Sequence, residues 1–312
     1  MKILAAWLTT GLMAFSGGIG WAADEVALVE RLRADVSVLA GDIGPRSVYQ
    51  GESLANAAEY ISAELTRAGW VVKSEVYYVS NVACANLVAE KTGTTKPDEI
   101  VVVGAHYDTV PVTPGADDNA SGVAVLLALA RELKNAKPER TLRLVAFANE
   151  EPIYFQTEFM GSRVHSRGCK ARGEQIVAML SLECLGYYTE EKNTQKYPFP
   201  LNMFYPSKGN FVAVVGNRES KALVKQVKRS IKRSQAIACE SIAMPDMLPG
   251  IGWSDHWSFW QEGYSAVMLT DTALNRNPHY HRASDVPTTL NYEKMAAAAY
   301  GIVAVVQDLV KQ

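Results

Sequence analysis

Ile100-Val101-Val102-Val103-Gly104-Ala105-His106-Tyr107-Asp108 is the stretch on which the fold turns. Its first residues, through Ala105, form an unbroken apolar run, the pattern of a strand buried on both faces of a sheet. Sheets buried in this way carry helices on both sides, so the run predicts a parallel centre. The run stops on His106, and in open α/β sheets ligands bind outside the carboxyl ends of the strands. A histidine there is accessible to a ligand, and Asp108 is placed to hold its ring by accepting the other N–H. The plain alternative is a satisfied structural histidine.

The flanking sequence alternates between the two periodicities. Asp24 to Leu39 reads as an amphipathic helix, with Val26, Val29, Leu32, Val36 and Leu39 on one face. Ser53 to Ala68 is a second helix, closed by Gly69. Strand-like segments follow at Val71–Val79 and Ala85–Glu90, ahead of the central run. Beyond it come a helix at Gly122–Leu133, strands at Thr141–Phe147 and Ile176–Leu182, and a further strand at Phe211–Val215. A basic helix at Glu219–Arg233, a strand at Ala266–Leu269 and a helix at Tyr292–Val310 complete the set. This alternation predicts an α/β fold: a mostly parallel central sheet with helices on both faces. No Pro/Gly/Ser-rich linker divides the chain, so residues 24–312 are read as a single domain.

Chemistry collects where the strands end. Gly115-Ala116-Asp117-Asp118-Asn119-Ala120-Ser121-Gly122 leads into a helix, where the ordinary job of an Asp is N-capping. The strand 141–147 runs into Asn149-Glu150-Glu151, and the strand 176–182 ends on Glu183. Late in the chain, Asn277-Pro278-His279-Tyr280-His281 places two of the five histidines in a loop. A charge at one strand end is unremarkable. Successive strand ends that all deliver carboxylate or imidazole suggest a site for zinc or a related divalent ion.

The ordered set His-x-Asp, Gly-x-Asp-Asp-x-x-Ser-Gly, Glu-Glu, strand-end acid and late His resembles the two-zinc exopeptidases. These metallopeptidases include secreted bacterial aminopeptidases and glutamate carboxypeptidase, and the glutaminyl cyclases are related to them. The resemblance runs from His106 to about Asp285. It implies two Zn2+ ions, or another divalent metal, with His106 and Glu183 on one, Glu151 and His281 on the other, and Asp118 bridging both. Asp118 is preferred to Asp117 because it alone begins Asp-x-x-Ser-Gly, which leaves Asp117 a structural acid. Glu150 takes the general-base position, Asp108 that of the acid orienting His106, and Asp285 that of a partner for the His281 ring. Tyr280 stands where some relatives stabilise the oxyanion. The activity implied is an aminopeptidase acting on peptide substrates. The rivals are a glutaminyl cyclase-like enzyme with one zinc and an inactive binding module of the same fold. Two departures stand out: Glu183 replaces a common Asp, and Pro152–Met160 is a longer link after the Glu pair than relatives carry.

Composition sets the outer limits. Of 312 residues 48% are hydrophobic and 21% charged, too apolar for a disordered chain. A formal charge of −2 leaves no positive excess for a nucleic-acid partner, and the basic helix reads as a solvated face. Lys2, the apolar run from Ile3 and the small residues through Ala23 match a secretory signal over residues 1–23, so the chain is expected to be exported, periplasmic or secreted. That run is interrupted and short for spanning a bilayer, and no later segment suits stable membrane insertion. Cys84, Cys169, Cys184 and Cys239 form no disulfide framework, although a Cys169–Cys184 bridge is open. The aromatic stretch Trp253–Trp260 reads as a core helix at Phe259 and Trp260, and its Ser254-Asp255-His256 resembles a pocket-wall segment of the same relatives rather than a serine triad.

Overall fold

The computed structural model describes residues 18–311. Strands β1 (Val72–Val79), β2 (Val82–Lys91), β3 (Lys96–His106), β4 (Arg140–Phe147), β5 (Gln175–Glu183), β6 (Phe211–Gly216), β7 (Ala238–Ala243) and β8 (Ala266–Thr270) form one sheet. Their order is β1-β2-β4-β3-β5-β8-β6-β7. The central strands β4, β3, β5 and β8 run parallel, as the apolar run of β3 requires. β1 with β2, β2 with β4 and β6 with β8 pair antiparallel, while the edge strand β7 runs parallel to β6. A tight turn at Ser80-Asn81 joins β1 to β2, and both residues take positive φ (49° and 67°), the twist that two-residue hairpins favour.

Along β3 the side chains alternate between two cores. Val101, Val103 and Ala105 enter the larger one with α1 (Gly18–Val36), α2 (Gly51–Arg67), α3 (Gly122–Glu132), α5 (Lys221–Ser234) and α7 (Tyr292–Val310). Ile100 and Val102 enter the smaller one, with Cys169 of α4 (Gly161–Ala171) and Phe259 of α6 (His256–Trp260). Val101, Val102 and Val103 are fully buried, each removing about 1.5–3 kcal/mol of apolar surface energy from water. Gly104 interrupts the run because Phe147 lies over it: a Cβ there would stand 2.2 Å from the Phe147 ring.

Several boundaries differ from the sequence reading. The helix expected from Asp24 already covers Gly18, the first described residue, and the chain continues past Val36 in a further turn over Ser37–Ile43. The signal reading over residues 1–23 falls for residues 1–17 outside the described residues. β7 and α4 carry no apolar periodicity and are not foreseen. β7 lies at the sheet edge and buries only Cys239 fully. α4 buries Ser162, His165, Ser166 and Cys169, which are small or polar. The four cysteines are buried free thiols, so Cys169 and Cys184 are not bridged. Phe259 is buried in the smaller core with Trp260, as expected of a core helix. Among the described residues no helix is long and apolar enough to cross a membrane.

Candidate metal centre

Parallel strands place their carboxyl ends on one side of the sheet, and the register decides which residues meet there. His106 pairs with Phe147, so β4 leaves the sheet beside it and carries Glu150 and Glu151 past it. Gly104 pairs with Ser181, which brings Glu183 alongside His106. His106 Nε2 lies 3.3 Å from Glu183 Oε2 and 3.3 Å from Asp118 Oδ1. On the other side of Asp118, His281 Nε2 lies 3.0 Å from Asp118 Oδ2 and 3.2 Å from Glu151 Oε2. Two ligand groups thus share one carboxylate: His106–Asp118–Glu183 and Asp118–Glu151–His281. Glu150 Oε2 approaches His106 Nε2 to 3.9 Å without belonging to either group.

The donor set fits divalent cations. His106 Nε2, Asp118 Oδ2, Glu151 Oε1 and His281 Nε2 are buried without an aligned hydrogen bond, a costly state unless something else pairs them. Burial pushes the Glu151 carboxyl up to about 8, reinforced by Asp118 and opposed by His281. Burial likewise raises the Glu150 carboxyl well above its ordinary range, against the pull of His106. Burial lowers the affinity of His281 for a proton, but bonding to Asp118 and Glu151 outweighs it and carries the ring up to about 10. Burial also disfavours the Asp118 carboxylate, yet the His106 and His281 rings hold its pKa low. The site therefore draws positive charge into a buried cluster of carboxylates, with oxygen and imidazole ligands suited to zinc.

The supports explain why these side chains converge. Asp108 lies 3.5 Å from His106 Nδ1, and its two oxygens accept the backbone N–H groups of Glu150 (3.0 Å) and Glu151 (3.1 Å). The same acid therefore sets the histidine and the Glu pair. The longer Glu183 reaches His106 because Ser254 Oγ donates to Oε2 at 2.7 Å and Cys184 Sγ to Oε1 at 3.0 Å. Asn119 ties the Asp118 turn to β5, donating to the Leu182 carbonyl and accepting from Cys184 N. Asp117 accepts from Gly186 N and Asn277 Nδ2, the structural role expected of it.

Asp285 corrects the sequence reading. Its carboxylate accepts the amides of Asp117 and Asp118 (3.0 and 3.1 Å) rather than steadying the His281 ring. The turn between them folds the acid back beneath the Asp118 loop, while His281, at a left-handed φ of 57°, aims its ring at Asp118. Tyr280 stacks on that ring with centroids 3.9 Å apart. Ser254 bonds Glu183 and Ser181, and His256 bonds the Ile251 carbonyl at 2.7 Å, so the three residues Ser254-Asp255-His256 form no triad. His165 is paired with Glu75 and His279 with Ser284, both away from the ligand groups.

Arg46 is the support that sequence reasoning missed. Its buried guanidinium donates to the carbonyls of Tyr107 (2.6 Å), Pro114 (2.6 Å), Gly115 (2.9 Å), Gly44 (3.1 Å) and Leu39 (3.2 Å). It thereby clamps the segment after His106 to the segment before Asp118. Burial lowers its pKa to about 10, with Asp108, Asp285 and Asp118 opposing. A lone arginine after Gly44-Pro45 carries no pattern that marks it.

A model of peptidase family M28 matches residues 86–306, which include every ligand position. The chain belongs to peptidase family M28. It is 38% identical over 288 residues to the uncharacterised protein YfbL of Escherichia coli K12, covering 89% of this chain and 88% of that one. A probable leucine aminopeptidase of Arthroderma otae is 27% identical over 238 residues. That match covers 72% of this chain but only 56% of the fungal protein. Among solved structures, BSAP, a zinc aminopeptidase of Bacillus subtilis, superposes with a TM-score of 0.73 at 16% identity, covering 91% of this chain and 95% of that one. At that identity the likeness speaks for the fold alone, and this M28 chain shares its mixed α/β architecture.

Beside the ligands lies an apolar cavity of about 170 Å³. Glu183 and Tyr280 close it at the metal end, and Phe211, Val215, Ile251 and Met268 line its walls.

Proposed function

We propose that this M28 chain is a two-zinc aminopeptidase that releases the N-terminal residue of peptides, acting after export. The observation that carries the reading is Asp118 standing between two histidines, each with its own glutamate, while Glu150 remains outside both ligand groups. His106 and Glu183 would hold one zinc, Glu151 and His281 the other, and Asp118 both. When bound, the ions supply Lewis acidity that polarises a carbonyl and makes water a nucleophile near neutral pH. Glu150 is the proton carrier: its amide is pinned by Asp108, its carboxyl is buried, and burial keeps its proton affinity high enough to take a proton and return it. Tyr280, which lines the apolar cavity, would donate to the developing oxyanion. The cavity itself suits a large apolar side chain on the residue to be released.

The test is direct. Zinc-loaded protein should hydrolyse leucinamide, and Glu150→Gln should lower kcat by about 10²–10⁴-fold while retaining its zinc. Full activity in that variant would remove Glu150 from the mechanism, and inertness of the zinc-loaded protein towards leucinamide and peptides would remove the aminopeptidase reading.

A further inference from the structure

A second hollow adjoins Trp253. Trp253 also lines the apolar cavity, and the second hollow is completed by Gln156, Asp246, Met247, Leu248 and Trp257. Gln156 comes from Pro152–Met160, the link that follows the Glu pair. That link is anchored across the hollow, since Gln156 Nε2 donates to the Gly252 carbonyl at 3.1 Å. It is also anchored at its base, since Gly161 N donates to the Ala148 carbonyl at 2.7 Å, just ahead of Glu150. Within its lining Met247, Leu248 and Trp253 are all exposed, an apolar concentration that a purely solvated rim would not need.

We propose that this hollow receives the side chain of the residue that follows the scissile bond, and that it selects a large apolar residue there. The inference rests on the aminopeptidase reading. In that reading the side chain of the N-terminal residue enters the cavity behind Glu183 and Tyr280. Glu150 must return its proton to the nitrogen of the departing residue, so that residue leaves on the side of Glu150. The segment directly downstream of Glu150 and Glu151 contributes Gln156 to the hollow, and Trp253 lines both side-chain sites. Asp246 stands in the same hollow as its charged member, so an acidic side chain meets like charge while an apolar one covers Met247 and Leu248. The substrate class is therefore a peptide that is apolar at both of its first two positions.

The experiment compares leucinamide, which has no second residue, with the dipeptides Leu-Phe, Leu-Gly and Leu-Asp on the zinc-loaded protein. Leu-Phe should exceed Leu-Asp in kcat/KM by about tenfold or more, with Leu-Gly between them. The double variant Met247→Ser, Leu248→Ser changes only exposed side chains, and should bring Leu-Phe to within about twofold of Leu-Gly. Leucinamide turnover should stay unchanged in that variant. A wild-type protein indifferent to the second residue, or a preference for Leu-Phe that survives the double variant, overturns the subsite. If leucinamide and all the dipeptides resist the zinc-loaded protein, the aminopeptidase reading itself fails, and the subsite with it.

Discussion

The carboxylate of Asp108 holds the backbone N–H of Glu150 at 3.0 Å, so the acid beside His106 also fixes the start of the Glu pair. Asp108→Asn keeps the size but offers one acceptor and one donor where two amides must both donate. Zinc affinity or kcat/KM should fall by about 10–100-fold. Zinc titration and leucinamide kinetics on the same preparation check this.

Asp118 belongs to both ligand groups. His281→Ala should leave about one zinc per chain because the His106–Asp118–Glu183 group survives, while Asp118→Ala damages both groups. Metal analysis after dialysis distinguishes the two patterns. A wild-type content of one zinc would favour the cyclase-like alternative.

Arg46 donates to five carbonyls, four of them buried, and no other side chain presents that planar fork. Arg46→Met should cost about 3 kcal/mol or more, since several carbonyls lose their donor at once. Arg46→Lys should recover only part of this, because an ammonium cannot span the same acceptors. Urea unfolding gives the differences.

Gly161 allows the link after Glu151 to close onto β4. A Cβ there would stand 2.2 Å from the Ala148 carbonyl oxygen, a backbone atom that cannot swing aside. Gly161→Ala should destabilise by about 1–3 kcal/mol and lower kcat by moving the Glu150 segment. Thermal unfolding and leucinamide turnover should change together.

Glu174 provides a pH-dependent contribution far from the metal centre. Burial alone would raise its pKa, but hydrogen bonds from Arg172 and Arg143 carry it from 4.5 down to about 2. A depressed folded-state pKa means the stabilisation is present above the unfolded value and is lost as pH falls through the folded one. Glu174→Gln should therefore be less stable than the wild type at pH 7, with the gap closing as pH falls from about 4.5 towards 2. Urea unfolding at several pH values measures the gap.

The legible parts of the sequence were those whose signal is local. The apolar run of β3 announced its own burial, and the parallel centre followed from it. His106 and Glu183 were visible as strand-end residues and Glu150 and Glu151 just past one, whereas Asp118 and His281 stood in loops and were marked by the motif around them. α4 and β7 were not visible, because α4 buries small and polar side chains and β7 is half-exposed at the sheet edge. Arg46 was not visible either, since its partners are carbonyls from three separate segments and carbonyls have no sequence signature.

By itself, then, the sequence determined the strand pattern apart from β7, and the set of residues that could bind metal. Periodicity and residue chemistry are properties of neighbours along the chain. Only the tertiary structure decided that Asp118 faces both histidines, that Asp285 serves the Asp118 loop instead of His281, and that Trp253 lines both hollows. Those are matters of sheet register and loop path, fixed by packing between residues that lie far apart in sequence.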